Sequence, residues 1–158
     1  MKRKLAAMVG AGAAAMLLNW VPYFEGTILR GYRDPIGIVT ACTGHTKTAV
    51  LGRPYTEAEC EELLITDLVE HAEGVTVCVT EPMTVGQQAA FVSFAFNVGT
   101  YRFCTSTLVK KFNAGDSAGA CAELSRWVYA GNEKMPGLVT RRQIERDMCE
   151  GRMDGAAG

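Results

Sequence analysis

The chain has 158 residues and a formal net charge of −1 at pH 7, and this length suits one domain with a buried core. A nucleic-acid-binding protein usually carries a strong basic surface. Here 16 Lys and Arg balance 17 Asp and Glu, and no basic stretch is interleaved with aromatic residues, so nucleic acid is not an expected partner.

The N-terminus begins with a compact basic stretch, Met1 to Lys4, followed by residues 5–24, which carry no charge. A membrane-spanning helix needs about 20 mostly apolar residues, so this stretch is long enough. The preceding basic residues would keep the N-terminus in the cytoplasm and send the rest across the membrane. A buried core helix is the less favoured interpretation, because consecutive basic residues precede a wholly uncharged stretch. We therefore predict export, first as an inner-membrane-tethered protein and then as a soluble periplasmic one.

This segment has a weak composition for a permanent membrane anchor. Residues 10–15 are Gly and Ala, and Asn19 and Pro22 interrupt its end, so the helix gains little by staying in lipid. Two interpretations stay open: a cleaved signal peptide with a site near residues 13–15, and a signal anchor that leaves the bilayer intact, which we favour. The predicted division is a segment over residues 1–24 and a main domain over 25–158.

The six cysteines are scattered along the chain, at positions 42, 60, 78, 104, 121 and 149. None forms a CxxC pair, whereas a structural zinc site usually shows tighter clustering. An even number of dispersed cysteines fits a disulfide-bonded protein of an oxidising compartment such as the periplasm. The alternative is a cytosolic protein in which the cysteines are small buried apolar side chains.

Residues 25–55 have the composition of a small β lobe. They are rich in Gly and β-branched residues, with turn signals at Asp34-Pro35 and Gly44. From Ile36 to Cys42, larger and smaller side chains alternate. This pattern predicts a short strand within a small hairpin sheet.

From residue 56 to about 150, apolar residues recur at helical spacing and predict a helical lobe. Each predicted helix has a polar start signal; in chain order these are Thr56-x-x-Glu59, Thr84-x-x-Gln87, Ser106, Asp116 and Thr140-x-x-Gln143. A small β lobe followed by a helical lobe is an α+β arrangement. The cleft between such lobes is the expected ligand site.

Three polar residues behind the apolar segment, Glu25, Asp34 and Thr40, are candidates for catalysis. Hydrolysis of a glycosidic bond needs one carboxylic acid to protonate the leaving oxygen and a second carboxylate to activate water or stabilise charge on the sugar. Glu25 would lie at a helix end and Asp34 in the turn before the strand. The spacing alone is weak evidence, because two carboxylates at this separation are common and Asp before Pro is an ordinary turn.

The Glu25-x8-Asp34-x5-Thr40 spacing resembles that of the T-even-type phage lysozymes of glycoside hydrolase family 24. Further motifs that resemble this family follow in order: Gly44-His45-Thr46, Phe96 to Gly99, Arg126-Trp127 with Tyr129 to Gly131, and Gly137 to Arg142 with Glu145. The resemblance covers residues 25 to about 150. It implies a lysozyme-like fold, hydrolysis of the bond between N-acetylmuramic acid and N-acetylglucosamine in peptidoglycan, and host cell lysis. It implies no cofactor, and we expect a monomer.

The apolar segment directly before Glu25 makes the chain similar to lambdoid-type endolysins with a signal-anchor-release segment. In related endolysins that use a thiol switch, a cysteine lies inside the anchor. Residues 1–24 contain none. This difference favours activation by refolding after release over activation by disulfide exchange.

The resemblance assigns a role to each candidate residue. Glu25 would be the general acid, Asp34 would orient or deprotonate the attacking water, and Thr40 would hydrogen-bond that water. Arg142, or alternatively Arg141, would be the buried arginine that pairs with Glu25. If the family's behaviour carries over, the reaction inverts the anomeric centre, with the two carboxyls about 6.5–9.5 Å apart.

The remaining candidates surround this group. His45 is expected to order Asp34 or the hairpin backbone rather than to bind metal, and no metal site is predicted. Thr46, Phe96, Asn97 and Thr107 match cleft positions that contact glycan in relatives, although Phe96 could equally belong to the core.

Six cysteines allow many pairings. We favour Cys42–Cys60, joining the hairpin to a helix, with Cys78–Cys104 and with Cys121–Cys149, joining two neighbouring C-terminal helices.

Two other functions remain as alternatives. A peptidoglycan-binding module could keep the fold without turnover, and a lytic transglycosylase uses one Glu and forms an anhydro product. The presence of Glu25, Asp34 and Thr40 together disfavours both.

Overall fold

A two-stranded sheet follows a pair of N-terminal helices and precedes a larger group of helices. The computed structural model describes residues 2–153, so most of the predicted frayed tail, residues 151–158, lies outside the described residues. The elements are α1 (Lys2–Val9), α2 (Ala11–Glu25), β1 (Ile28–Arg33), β2 (Val39–Cys42), α3 (Glu57–Cys78), α4 (Val85–Val98), α5 (Thr100–Cys104), α6 (Thr107–Asn113), α7 (Ser117–Glu123), β3 (Tyr129–Ala130), β4 (Glu133–Lys134) and α8 (Pro136–Cys149).

The N-terminal apolar segment forms α1 and α2, which are part of the main hydrophobic core. The two helices meet at an angle of 119° at Gly10, whose φ of 87° is readily adopted only by glycine. Leu5, Leu17 and Val21 are fully or almost fully buried. The interpretation as core helices, which the sequence disfavoured, therefore describes the segment in this conformation.

Membrane-spanning potential is divided between these two helices. Within residues 2–153, no single helix is both long and apolar enough to cross a bilayer, whereas α1 and α2 together meet the length and composition requirement but are sharply bent.

Strands β1 and β2 form the predicted antiparallel hairpin, with Ile28 opposite Cys42 and Tyr32 opposite Thr40. The predicted strand from Ile36 is too long, because residues 36–38 belong to the turn. Asp34 Oδ1 accepts hydrogen bonds from the backbone N–H groups of Ile36 at 3.0 Å and Ile38 at 2.8 Å. These bonds compete with strand pairing, as short acidic side chains often do in turns.

Four of the five predicted helix starts are confirmed. Thr56 and Thr84 form capping boxes at the starts of α3 and α4, and Ser106 and Asp116 cap α6 and α7. Helix α4 lies at the centre of the helical lobe, and its residues from 89 to 95 are all buried.

The predicted start of the last helix is wrong. Helix α8 begins at Pro136, one turn before Thr140, because a proline at the first helical position has its φ preset and needs no N–H partner. Thr140 lies inside the helix, where its hydroxyl donates to the Pro136 carbonyl at 3.2 Å. Helix α5 and the β3–β4 hairpin were not predicted, since each is too short to show periodicity.

The three predicted disulfides, Cys42–Cys60, Cys78–Cys104 and Cys121–Cys149, are confirmed, with Cα–Cα distances of 5.0, 5.6 and 5.6 Å. The first joins β2 to α3 within a small separate core of the β lobe, made with Ala41 and Tyr55. The predicted α+β class, with a small hairpin lobe and a larger helical lobe, is likewise confirmed.

Candidate active site

Glu25 is the last residue of α2, and its side chain is 24% exposed. Arg141 of α8 donates a hydrogen bond from Nη1 to Glu25 Oε1. The same guanidinium lies 4.8 Å from the ring centroid of Phe24, a cation–π contact that also holds the end of α2. The site thus joins an N-terminal helix to the C-terminal helix.

The arginine that pairs with Glu25 is Arg141, the predicted alternative, and the prediction for Arg142 is wrong. Consecutive residues on a helix point about 100° apart, so the two side chains reach different neighbours. Arg142 donates to the Trp127 carbonyl at 2.9 Å and to the side-chain oxygen of Asn97. Arg142 is also buried and lies next to the site, but its side chain binds Asn97 rather than Glu25.

A buried carboxylate, Glu145, lies between the two arginines. Its Oε1 accepts from Arg142 at 2.6 Å, and its Oε2 accepts from Arg141 Nε at 3.2 Å and from the Ser93 hydroxyl at 2.6 Å. Burial lowers the pKa of Arg142, and the attraction of Glu145 partly offsets this effect. Four charged groups, two of each sign, therefore form one connected chain from Glu25 to Arg142.

The turn after β2 forms the other wall beside Glu25. Gly44 has a φ of 80°, and a Cβ at this position would lie 3.7 Å from Glu25 Oε2. The hydroxyls of Thr27 and Thr43 lie 3.1 Å apart and join the chain after Glu25 to this turn. The carboxyl of Glu25 is thus held between this turn and α8.

Asp34 and Thr40 are held by the same backbone carbonyl, that of Ile38. The Asp34 N–H donates to it at 2.9 Å, and the buried Thr40 hydroxyl donates to it at 3.0 Å. Since Asp34 uses Oδ1 to accept the two N–H groups of its turn, its Oδ2 is not engaged in these turn bonds. The Thr40 oxygen, whose own proton is directed to Ile38, can accept a hydrogen bond from water.

Of the two alternatives predicted for His45, the structure shows contact with the hairpin backbone and not with Asp34. The backbone groups of His45 and Ala41 bond to each other. Its Nδ1 lies 2.8 Å from Asp67 Oδ2 of α3, and its Nε2 accepts from the Thr48 N–H at 3.1 Å. The imidazole therefore fastens the turn to α3, because the α3 carboxylate is within reach and Asp34 lies at the far end of the hairpin.

The predicted glycan contacts lie on different elements. Thr46 and Thr107 are exposed, the first in the turn after β2 and the second at the start of α6. Phe96 is partly buried, with its ring centroid 5.2 Å from that of His71. Asn97 is exposed and held by Arg142.

Sequence reasoning missed the contacts of two residues in this region, Glu145 and Ser93. Glu145 follows Arg142 by three positions and Arg141 by four, the spacing at which helical side chains meet, so its part in the pairing could have been inferred. Ser93 shows no such signal, because its contact with Glu145 joins residues 52 positions apart.

Comparisons with known proteins agree on one family. Residues 22–145 match the family described as phage lysozyme. The SAR-endolysin of Enterobacteria phage P21 is 40% identical over 156 residues, covering 94% of each chain. Among solved structures, the muramidase domain of SpmX from Asticaccaulis excentricus superposes with a TM-score of 0.80 at 26% identity, covering 89% of this chain and 96% of that one. The endolysin from Escherichia coli O157:H7 phage FAHEc1 gives a TM-score of 0.77 at 27% identity, covering 89% and 92%.

Proposed function

This chain belongs to the phage lysozyme family, and on that premise we propose how its residues cut peptidoglycan. The chain is an endolysin with muramidase activity, a glycosidase whose substrate is the glycan of the bacterial cell wall. The observation that carries the residue-level proposal is the ion pair between Arg141 and Glu25, since it fixes a carboxyl group between α8 and the turn after β2.

Glu25 acts as the general acid in this proposal. It protonates the oxygen that leaves when the bond between N-acetylmuramic acid and N-acetylglucosamine breaks. Arg141 directs the carboxyl group, while the partial exposure of Glu25 leaves it accessible to substrate. A rigid support of this kind lowers the entropic cost of reaching the reactive arrangement.

Asp34 and Thr40 act on the water that attacks the sugar. Asp34 Oδ2 accepts a proton from the water, and the Thr40 oxygen accepts a second hydrogen bond that orients it. Both side chains are bound to Ile38, and this supports the assignment: the Ile38 N–H donates to Asp34 Oδ1, and the Ile38 carbonyl accepts from the Thr40 hydroxyl. Thr46, Phe96, Asn97 and Thr107 are proposed to contact the glycan on either side of the reacting bond.

The products distinguish hydrolysis from lytic transglycosylation. Hydrolysis adds water and leaves a reducing N-acetylmuramic acid, whereas a transglycosylase leaves an anhydro sugar. Mass spectrometry of muropeptides released by the purified enzyme should show the reducing product, and anhydro products alone would contradict the proposal. A binding module without turnover would release neither, and it would clear no zone in a peptidoglycan gel.

We further propose that the N-terminal segment tethers the enzyme to the inner membrane before the enzyme becomes periplasmic, and that it is retained. Cleavage near residues 13–15 would remove Leu5, Val9 and Ala13, which are buried in the main core. The division predicted after residue 24 would then mark the end of the membrane-inserted segment. It would not be a boundary in the folded enzyme, because α2 continues to Glu25. The mass of the periplasmic protein tests this: it should begin at Met1, and a start near Met16 would contradict retention.

In the tethered form Glu25 would be held at the bilayer surface, away from Arg141, and the enzyme would be inactive. Release of the segment would allow α1 and α2 to join the core and bring Glu25 to Arg141. The absence of cysteine from residues 1–24 supports activation by refolding rather than by thiol exchange.

A further inference from the structure

Glu145 is a fully buried carboxylate with every oxygen bound. Its side chain is 0% exposed, and an ionised carboxylate in such a place is destabilising unless it is paired and hydrogen-bonded. One oxygen binds Arg142, and the other binds Arg141 and Ser93. The protein therefore buries a charge that is unfavourable by itself and compensates it with three hydrogen-bonding partners.

The two arginines held by Glu145 lead to opposite sides of the site. Arg141 continues to Glu25, and Arg142 continues to Asn97. The two guanidinium groups repel each other, and this repulsion contributes to lowering the pKa of Arg142, while Glu145 acts in the opposite direction. The carboxylate between them allows both to stay in place.

The charges in this cluster balance only because Glu145 is present. Arg141 and Arg142 carry two positive charges, and Glu25 and Glu145 carry two negative charges when both are ionised. The charged group that contacts Glu25 is Arg141 of α8. Ser93 of α4, which lies next to Arg141, and Gly44 of the turn after β2, which lies next to Glu25, are both neutral. Loss of the charge on Glu145 would therefore leave Glu25 facing an excess positive charge.

We propose that Glu145 is a positioning residue of this enzyme, which holds Arg141 toward Glu25 and Arg142 toward Asn97 and thereby aligns the acid with the glycan-binding side of the cleft. This inference rests on the proposed role of Glu25 as the general acid. It gives Glu145 a catalytic consequence without contact with substrate.

The variant Glu145→Gln tests the proposal because it keeps the shape and removes the charge. Glutamine keeps only one acceptor oxygen and turns a donating NH2 group toward the other arginine, so kcat should fall by about tenfold or more with a smaller change in KM. An excess positive charge beside the acid favours loss of its proton, so the alkaline limb of the activity profile should move to lower pH. A purely structural residue would reduce the folded fraction and leave this limb in place.

Glu123→Gln is the matched control. Glu123 is also a buried acid, but it belongs to α7 and pairs with Lys111 at 2.6 Å and Arg126 at 3.5 Å. This variant should lose stability without moving the pH profile. Equal pH profiles for wild type and Glu145→Gln, measured on folded protein, would overturn the proposal.

Ser93→Ala keeps the inference testable if Glu145→Gln does not fold. It removes the hydroxyl that donates to Glu145 without changing charge, so kcat should fall several-fold with the pH limb unmoved, and wild-type kcat would contradict the proposal.

Glu25→Gln separates the proposed role of Glu25 from that of Glu145. If that variant is active, the assigned acid is wrong; if it is inactive while Glu145→Gln behaves as wild type, only the role of Glu145 is wrong.

Discussion

Arg141 and Glu25 form an ion pair across a sequence separation of 116 residues. Arg141 also donates to the Ser93 carbonyl at 3.0 Å, so α4 holds this arginine in addition to its contacts with α2. In this structure Glu25 reaches the arginine with α2 packed in the core. If the segment is first held in the membrane, as we propose, Glu25 joins the site when the segment folds, and a change that keeps α2 away removes it.

Arg141→Gln should lower kcat by at least about tenfold, since Glu25 loses the group that directs it. Arg141→Lys should recover part of the rate, because it restores charge without the planar geometry of arginine. Arg152→Gln is a suitable control: Arg152 pairs with Asp147 and Glu150 at a largely exposed position. Hydrolysis rates on purified peptidoglycan, with thermal melting to confirm folding, test this prediction, and a wild-type rate for Arg141→Gln would contradict it.

The exposed face of α2 allows membrane affinity to be changed without disturbing the folded enzyme. Ala11, Ala15 and Asn19 are exposed at four-residue spacing, whereas a Cβ at Gly12 would lie only 2.9 Å from Val85 Cγ1. Leucine at the three exposed positions should hold the segment in lipid longer and delay lysis. The purified soluble variant should keep its wild-type rate.

The opposite substitution is the control for this prediction. Serine at Ala11 and Ala15 reduces the apolar surface and should advance lysis. Lysis at the normal time with both sets of substitutions would show that lipid affinity of this segment does not control the enzyme.

The fold could be predicted from the sequence where local signals agree with tertiary structure. The capping boxes at Thr56 and Thr84 begin α3 and α4 as expected, since capping satisfies helix N–H groups locally. The N-terminal segment shows the limit of this approach. An uncharged run of Ala, Leu and Val suits both lipid and a protein core, and the sequence does not record that Gly10 bends it.

The candidate site shows the same limit. The spacing of Glu25, Asp34 and Thr40 was visible in the sequence, but the choice between Arg141 and Arg142 depends on the rotation of α8 about its axis. That rotation is fixed by packing against α4, where Ser93 binds both Arg141 and Glu145. The sequence predicted the start of α8 at Thr140 rather than at Pro136, and a helix start does not indicate how the helix is rotated.

The Cys42–Cys60 disulfide should matter for activity as well as stability. Cys42 has a φ of 59°, a left-handed conformation that costs a residue with a side chain about 1 kcal/mol or more, and it begins the turn that reaches Gly44 beside Glu25. Cys42→Ser with Cys60→Ser should cost about 2–4 kcal/mol of unfolding free energy and lower kcat at temperatures where the variant is folded.

The control removes Cys121–Cys149, which joins α7 to the end of α8. It should cost a similar unfolding free energy with kcat preserved. Equal kcat values for the two double variants would mean that the first disulfide does not shape the site.

Acid should remove the contribution of Glu59 to stability. The hydrogen bond from the Thr56 N–H has the largest effect and that from Arg53 the next largest; both lower the pKa of Glu59 below its ordinary value of 4.5. A carboxyl with a lowered folded-state pKa stabilises the protein above its unfolded-state pKa, and this stabilisation is lost as the pH falls through the folded-state value. The melting temperature of Glu59→Gln should therefore be lower than that of wild type near neutral pH, and the gap should narrow as the pH falls below 4.5. A gap that stays constant down to pH 3 would contradict this assignment.

The hydrolysis rate of purified, folded Glu25→Gln on peptidoglycan tests the central claim most directly. The substitution keeps the size of the side chain and its contact with Arg141 but removes the proton that the leaving oxygen needs. We expect the rate to fall by about a thousandfold, within the range for loss of a general acid. A rate within tenfold of wild type would contradict the account.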